Sequence, residues 1–158
     1  LDVVGLTSDK VAGFGFVAFS VTMTLGRFLG DGISSRFGAL TIIIGGTLVA
    51  AMGFGLTLTA AFGPAMVGFA LVGLGFSVII PELFRLAGRA EGVSSAEGIS
   101  VVAGLGYVGF LASPALLGFL SNLASLRLSF TALLVSCLVS TGIAFFLRAR
   151  TKSSSASH

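Results

Sequence analysis

Apolar residues run in long blocks along this chain, neither alternating with polar ones nor confined to one helix stripe. Five blocks stand out, at about 11–29, 40–60, 64–80, 99–120 and 126–147. Each is near the roughly 20 residues that an α-helix needs to cross a bilayer. The third can run on to Leu86, past Pro81. Polar residues gather in the short connections and after the last block. There the stretch 151–158 is Ser-rich and expected to be disordered. The pattern predicts an all-α integral membrane protein with five transmembrane helices over residues 1–150.

Composition agrees. Of 158 residues, 55% are hydrophobic and only 9% charged. A soluble domain carries about 25% charged residues, so this chain has too few to cover a surface facing water. The mean hydropathy is +1.09. Glycine is abundant, at 23 residues, which membrane helices use to approach each other closely. The lone Cys137 lies in an apolar run, so it forms no internal disulfide and is expected to pack. His158, the one histidine, belongs to the tail. The chain starts at Leu1 with no signal peptide, as expected of a fragment whose N-terminal part lies upstream.

The net charge of +3 points to where the bases sit, not to nucleic acid. Arg27, Arg36, Arg85, Arg89, Arg148, Arg150 and Lys152 fall at alternate connections, hence on one side of the membrane. Lys10 and Arg127 fall on the other. By the positive-inside rule this puts the N-terminus outside and the C-terminus in the cytoplasm of a cell membrane.

One motif argues for a different class. Gly104-Leu105-Gly106-Tyr107-Val108-Gly109 matches the G-x-G-x-x-G dinucleotide fingerprint. That site needs an acidic residue about 20 positions further on, and neither Asp nor Glu follows Glu97. No paired carboxylates, metal-ligand spacing or nucleophile with a base is present either. The reading is of a non-enzyme without cofactor or metal.

The glycines belong instead to an internal repeat. Residues 12–29 and 103–120 are identical at Ala12/Ala103, Gly13/Gly104, Gly15/Gly106, Val17/Val108, Phe19/Phe110, Leu25/Leu116, Phe28/Phe119 and Leu29/Leu120. Thr41, Leu48 and Val49 then match Thr131, Leu138 and Val139. The copies cross the membrane in opposite senses, as in a 3+3 inverted repeat. Segments three to five form one unit, and segments one and two form another lacking its first helix.

Gly26-Arg27-Phe28-Leu29-Gly30-Asp31, followed by Arg36-Phe37-Gly38, resembles the cytoplasmic signature loop of the major facilitator superfamily. The stretch 73–89 and the helix of Tyr107 and Pro114 look like the tenth and eleventh helices of its sugar-permease-like branches. The resemblance implies helices eight to twelve of a twelve-helix transporter, missing N-terminal helices as its partners, and a small solute moved by alternating access. With no ATP site in view, an ion gradient or the solute's own gradient supplies the energy. The alternative is a truncated, transport-incompetent product acting only as an interaction partner. Aligned on Arg36-Phe37-Gly38, the family's acidic position falls on Ser35 and its first Gly on Asp31, so Asp31 is the acid available nearby.

Arg27 and Asp31, four apart, share a helix face and with Arg36 are candidates for a latch between helix bundles; the plainer reading is a solvated turn. Glu82, after Pro81, either meets a substrate or gate, or is an interfacial carboxylate facing water beside Arg85 or Arg89; the second is preferred. Pro81 is expected to bend its helix. Gly68, Gly73 and Gly75, like Gly104, Gly106 and Gly109, are expected to pack closely, with a hinge at Gly73 and Gly75 as the alternative. Gly46 with Ala50, and Ala51 with Gly55, are small-residue pairs of the same kind. Tyr107 is expected to face a cavity or to bond a neighbouring carbonyl.

Overall fold

The computed structural model describes residues 9–59, 61–123 and 126–154, excepting the side chains of 9–12, 29, 31, 33–36, 120–123, 126 and 151–154. It holds five helices: α1 Asp9–Phe37, α2 Ala39–Thr57, α3 Phe62–Ala87, α4 Ser95–Leu123 and α5 Leu126–Ser154. No strand occurs among the described residues. Four helices, α2 to α5, are long and apolar enough to cross a membrane; α1 contributes a shorter apolar stretch, Gly13–Phe28. α5 continues to Ser154, into the stretch expected to be disordered, and 155–158 lie outside the described residues.

Local chemistry sets the helix ends. α1 and α2 are joined by Gly38 alone, whose φ of 78° lies in the left-handed region open to glycine. α3 ends at Ala87, and the connection to α4 contains Gly92 with φ 82°. α4 then opens on a capping box. The backbone N–H and the hydroxyl of Ser94 donate to Glu97 Oε2 at 2.9 and 2.8 Å, and the Glu97 N–H donates to Ser94 Oγ at 3.3 Å. Inside the spans, hydroxyls bond back to their own helices, where apolar surroundings offer nothing else. Thr47 donates to the Ile43 carbonyl at 2.9 Å and Ser77 to that of Leu74 at 2.6 Å.

α3 is the centre of the packing, between α1 and α2. It runs antiparallel to α2, because a Cβ on Gly46 would reach the carbonyl of Gly75 and one on Gly53 that of Gly68. It runs parallel to α1, with Gly15 against Phe69, Thr22 against Gly73 and Gly26 against Ser77 in succession. α5 packs on α2, antiparallel to it, with the Thr141 hydroxyl donating to that of Thr47 at 2.7 Å, and its Phe130 ring reaches that of Phe69 on α3 at 6.2 Å between centroids. The core is Ala50, Ala51, Phe54, Val72 and Cys137, bordered by Phe76 and Phe130. The Phe54 ring meets those of Phe76 and Phe130 at 6.1 and 6.2 Å between centroids. α4 stands apart and touches α3 and α5 only near its ends. At one end Gly98 lies against the Ala87 carbonyl; at the other the Ser129 hydroxyl donates to the Leu117 carbonyl at 3.1 Å.

Candidate functional site

The stretch read as a signature loop is helical. Residues 26–37 continue α1, and Gly38 alone forms the turn. The run contains no proline, and its three glycines, Gly26, Gly30 and Gly32, lie inside the helix, so nothing in it forces the helix to stop. Gly26 and Gly30 serve packing, whereas a Cβ on Gly32 would meet nothing within 4 Å. A Cβ on Gly26 would stand 2.8 Å from Ser77 Cβ, and one on Gly30 2.9 Å from Val78 Cγ1. Both line an apolar groove of about 440 Å³ with Phe37, Ile42 and Gly46. Arg27 points outward and is exposed. The side chains of Asp31 and Arg36 lie outside the described residues, and with them the latch expected of Arg27, Asp31 and Arg36.

Glu82 lies beside Arg85, as the preferred expectation had it, but departs from that expectation in its exposure. It does not face water: it is 3% exposed. Its Oε1 lies 3.5 Å from Nη1 of Arg85, one turn on, whose side chain is 35% exposed. The antiparallel register of α2 on α3 explains the burial. Gly46 faces Gly75 and Gly53 faces Gly68, and continuing that register brings Glu82 to the first turn of α2. Leu83 and Leu86 line one groove with Leu40, which agrees. A carboxylate is thus held beside the start of a helix, where the unpaired N–H groups favour negative charge. Pro81 is exposed within α3, which continues to Ala87.

The glycines divide by helix. Gly68, Gly73 and Gly75 of α3 are buried, and a Cβ on any of them would collide with α1 or α2. Ala50 and Ala51 are buried as well. Gly104, Gly106 and Gly109 of α4 meet nothing within 4 Å, so the close approach expected of them is not made among these helices. Tyr107 shares their fate: it is 65% exposed, because α4 has no neighbour along its middle. Cys137 is buried in the core, as expected of a packing residue.

The alternating helix directions bring the C-terminal ends of α1, α3 and α5 together, and with them Arg27, Arg85, Arg89, Arg148 and Arg150. The guanidinium of Arg150 lies 4.8 Å from the centroid of the Phe146 ring. Arg127 begins α5 at the other end. Sequence reasoning missed Ser77, beside Gly26, and the Thr47–Thr141 hydrogen bond. The one signal available was a hydroxyl recurring at similar depth in different apolar blocks.

No protein-family model matches the chain, and no solved structure does. Curated proteins do. The chain is 36% identical over 124 residues to an uncharacterized MFS-type transporter of Yersinia pestis, covering 78% of this chain and 32% of that protein. It is 35% identical over 149 residues to the membrane protein MosC of Rhizobium meliloti, covering 90% of this chain and 36% of that protein. It is 31% identical over 136 residues to an uncharacterized transporter of Sinorhizobium fredii, covering 82% and 34%. The chain spans about a third of the length of these relatives.

Proposed function

We propose that the chain, which matches part of larger transporters, one of them of MFS type, supplies helices eight to twelve of a transporter of the major facilitator superfamily. There it takes part in moving a small solute across the cell membrane by alternating access, driven by an ion gradient or by the solute's own gradient. The observation that carries this is the match to transporters over most of the chain. The gathering of five arginines at one end of the bundle supports a cytoplasmic C-terminus. Nothing observed favours the alternative of a transport-incompetent interaction partner.

In this reading the α1–α2 turn and the end of α3 form one cytoplasmic gate. Gly26 and Gly30 let α1 lie on α3, Gly38 reverses the chain, and Glu82 with Arg85 holds charge at the base of α2. Arg27, Asp31 and Arg36 are the groups that would latch this end to the other half of the transporter and release it in each cycle. Gly73 and Gly75 let α3 slide against α1 and α2 with backbone in contact.

A substrate panel on the complete transporter in sealed vesicles, with and without a proton gradient, tests the function. Acceleration of at least one solute is expected; if no solute moves faster than through empty vesicles, the proposal fails. Asp31→Asn is expected to lower uptake several-fold at unchanged expression. Unchanged uptake would remove the latch.

A further inference from the structure

α1 carries three distinct faces. One packs on α3 through Gly15, Thr22, Gly26 and Gly30. A second, made of Phe14, Val17, Val21, Leu25 and Phe28, is apolar throughout, and each of its residues is more than half exposed. Their spacing of three and four keeps them on one side of the helix. The third face holds Ser20, Thr24 and Arg27, at i, i+4 and i+7, about a third of a turn from each of the others. Thr24 donates to the Ser20 carbonyl at 2.8 Å, and its oxygen keeps lone pairs for a further donor. Ser20, Met23, Thr24, Arg27 and Phe28 line an open groove of about 360 Å³. The other grooves described have no charged residue in their linings.

The packing fixes the depth of Arg27. Gly26 stands abreast of Ser77 on α3, Gly75 abreast of Gly46 on α2, and Thr47 abreast of Thr141 on α5. Carried across the helices, that register puts Arg27 about level with Val78, Ile43 and Phe145, all apolar. Arg148 lies about three residues beyond that level and Arg85 about seven, roughly 5 and 10 Å at the rise of an α-helix. Arg27 is thus the innermost base at this end of the bundle. Ionisable side chains at such depth face a protein interior or a water-filled cavity, and no described helix covers this one. A long arginine can reach interfacial water along its helix. That accounts for Arg27 alone, not for the hydroxyls that continue its stripe about two turns inward while a separate apolar face serves the lipid.

We propose that Ser20, Thr24 and Arg27 form one wall of an aqueous pathway, and that Arg27 makes this wall select anionic solutes, those bearing a carboxylate or phosphate. The guanidinium offers its donors in a fork that matches either oxyanion, and the other arginines gathered at the same end add to the attraction. The inference rests on the reading of the chain as part of a larger transporter and adds the charge of its solute. Arg27 serves the latch while the cytoplasmic end is shut; with that end open, the same guanidinium faces the solute.

The test is cysteine labelling in membranes that hold the complete polypeptide, with Cys137→Ala and any other native cysteine replaced. Thr24→Cys, Ser20→Cys and, as the lipid-facing control, Val21→Cys are exposed on both sides of the membrane to an anionic and to a cationic methanethiosulfonate, neither of which enters lipid. Thr24→Cys and Ser20→Cys are expected to react at least tenfold faster than Val21→Cys. The anionic-to-cationic rate ratio at Thr24→Cys, taken relative to free cysteine, is expected to fall at least threefold on adding Arg27→Gln and to survive Arg27→Lys. No reaction at either position, or rates equal to that of Val21→Cys, would overturn the wall. A ratio unchanged by Arg27→Gln would overturn the selection. In the vesicle panel the solutes accelerated are expected to be carboxylates or phosphates, and acceleration of neutral or cationic solutes alone would also overturn it. The labelling needs no solute, so a failure of all transport would sink the transporter reading while the rates still decide the wall.

Discussion

A single missing methyl group decides how close two of these helices come. A Cβ on Gly75 would run into the carbonyl oxygen of Gly46 and stand 2.8 Å from the Ala50 nitrogen. Gly75→Ala is therefore expected to destabilise the protein by about 1–3 kcal/mol through overpacking, against a gain of about 1 kcal/mol in helix propensity. Gly104→Ala adds a methyl into open space and keeps only that gain. Thermal unfolding in detergent, with the two variants side by side, checks the difference in sign. Gly38→Ala puts a Cβ on a residue with φ 78° and is expected to cost about 1–2 kcal/mol by the same assay. The sequence offered all these glycines on equal terms. Which of them bear on a neighbour was not legible, because a glycine has no side chain whose chemistry names its partner.

At the scale of the element, the helices themselves were legible and their extents less so. Five apolar blocks became five helices because a helix of about 20 residues satisfies its backbone groups within its own segment, whatever its apolar surroundings. The run from Gly26 to Phe37 was read as a loop because Arg27, Asp31 and Arg36 are polar; polarity there marks the end of the membrane, not of the helix. The start of α4 is set by Ser94 and Glu97. Ser94→Ala is expected to cost the first turn about 1 kcal/mol. Backbone hydrogen exchange of residues 95–98 should rise while α2 and α3 stay protected. Glu82, like Tyr107, is a site residue whose exposure the sequence misjudged. Its position after Pro81 suggested an interface with water, whereas the register of α2 on α3 carries it under the first turn of α2.

For the whole molecule, the order α1–α3–α2–α5 holds the bundle together and leaves α4 aside. Thr47 and Thr141 tie α5 to the rest, across 94 residues. Thr141→Val and Thr47→Val are each expected to lower stability, and the double variant by less than their sum. The coupling should be about 0.6 kcal/mol, the average for hydrogen bonds between membrane helices. Additive losses in that double-mutant cycle would show that the hydrogen bond carries no energy.

The sequence by itself determined that this is a helical membrane protein, where the five helices among the described residues lie, and that residues 12–29 resemble residues 103–120. These depend on composition, block length and local periodicity, which are properties of the chain taken segment by segment. The tertiary structure alone decided which copy of the repeated glycine pattern is used. Ala12 to Phe19 and Ala103 to Phe110 are near twins in sequence, yet Gly15 lies against α3 and Gly106 against nothing. The difference lies not in the glycines but in what is packed beside them, since a close-packing face acquires its meaning only from the helix that fills it.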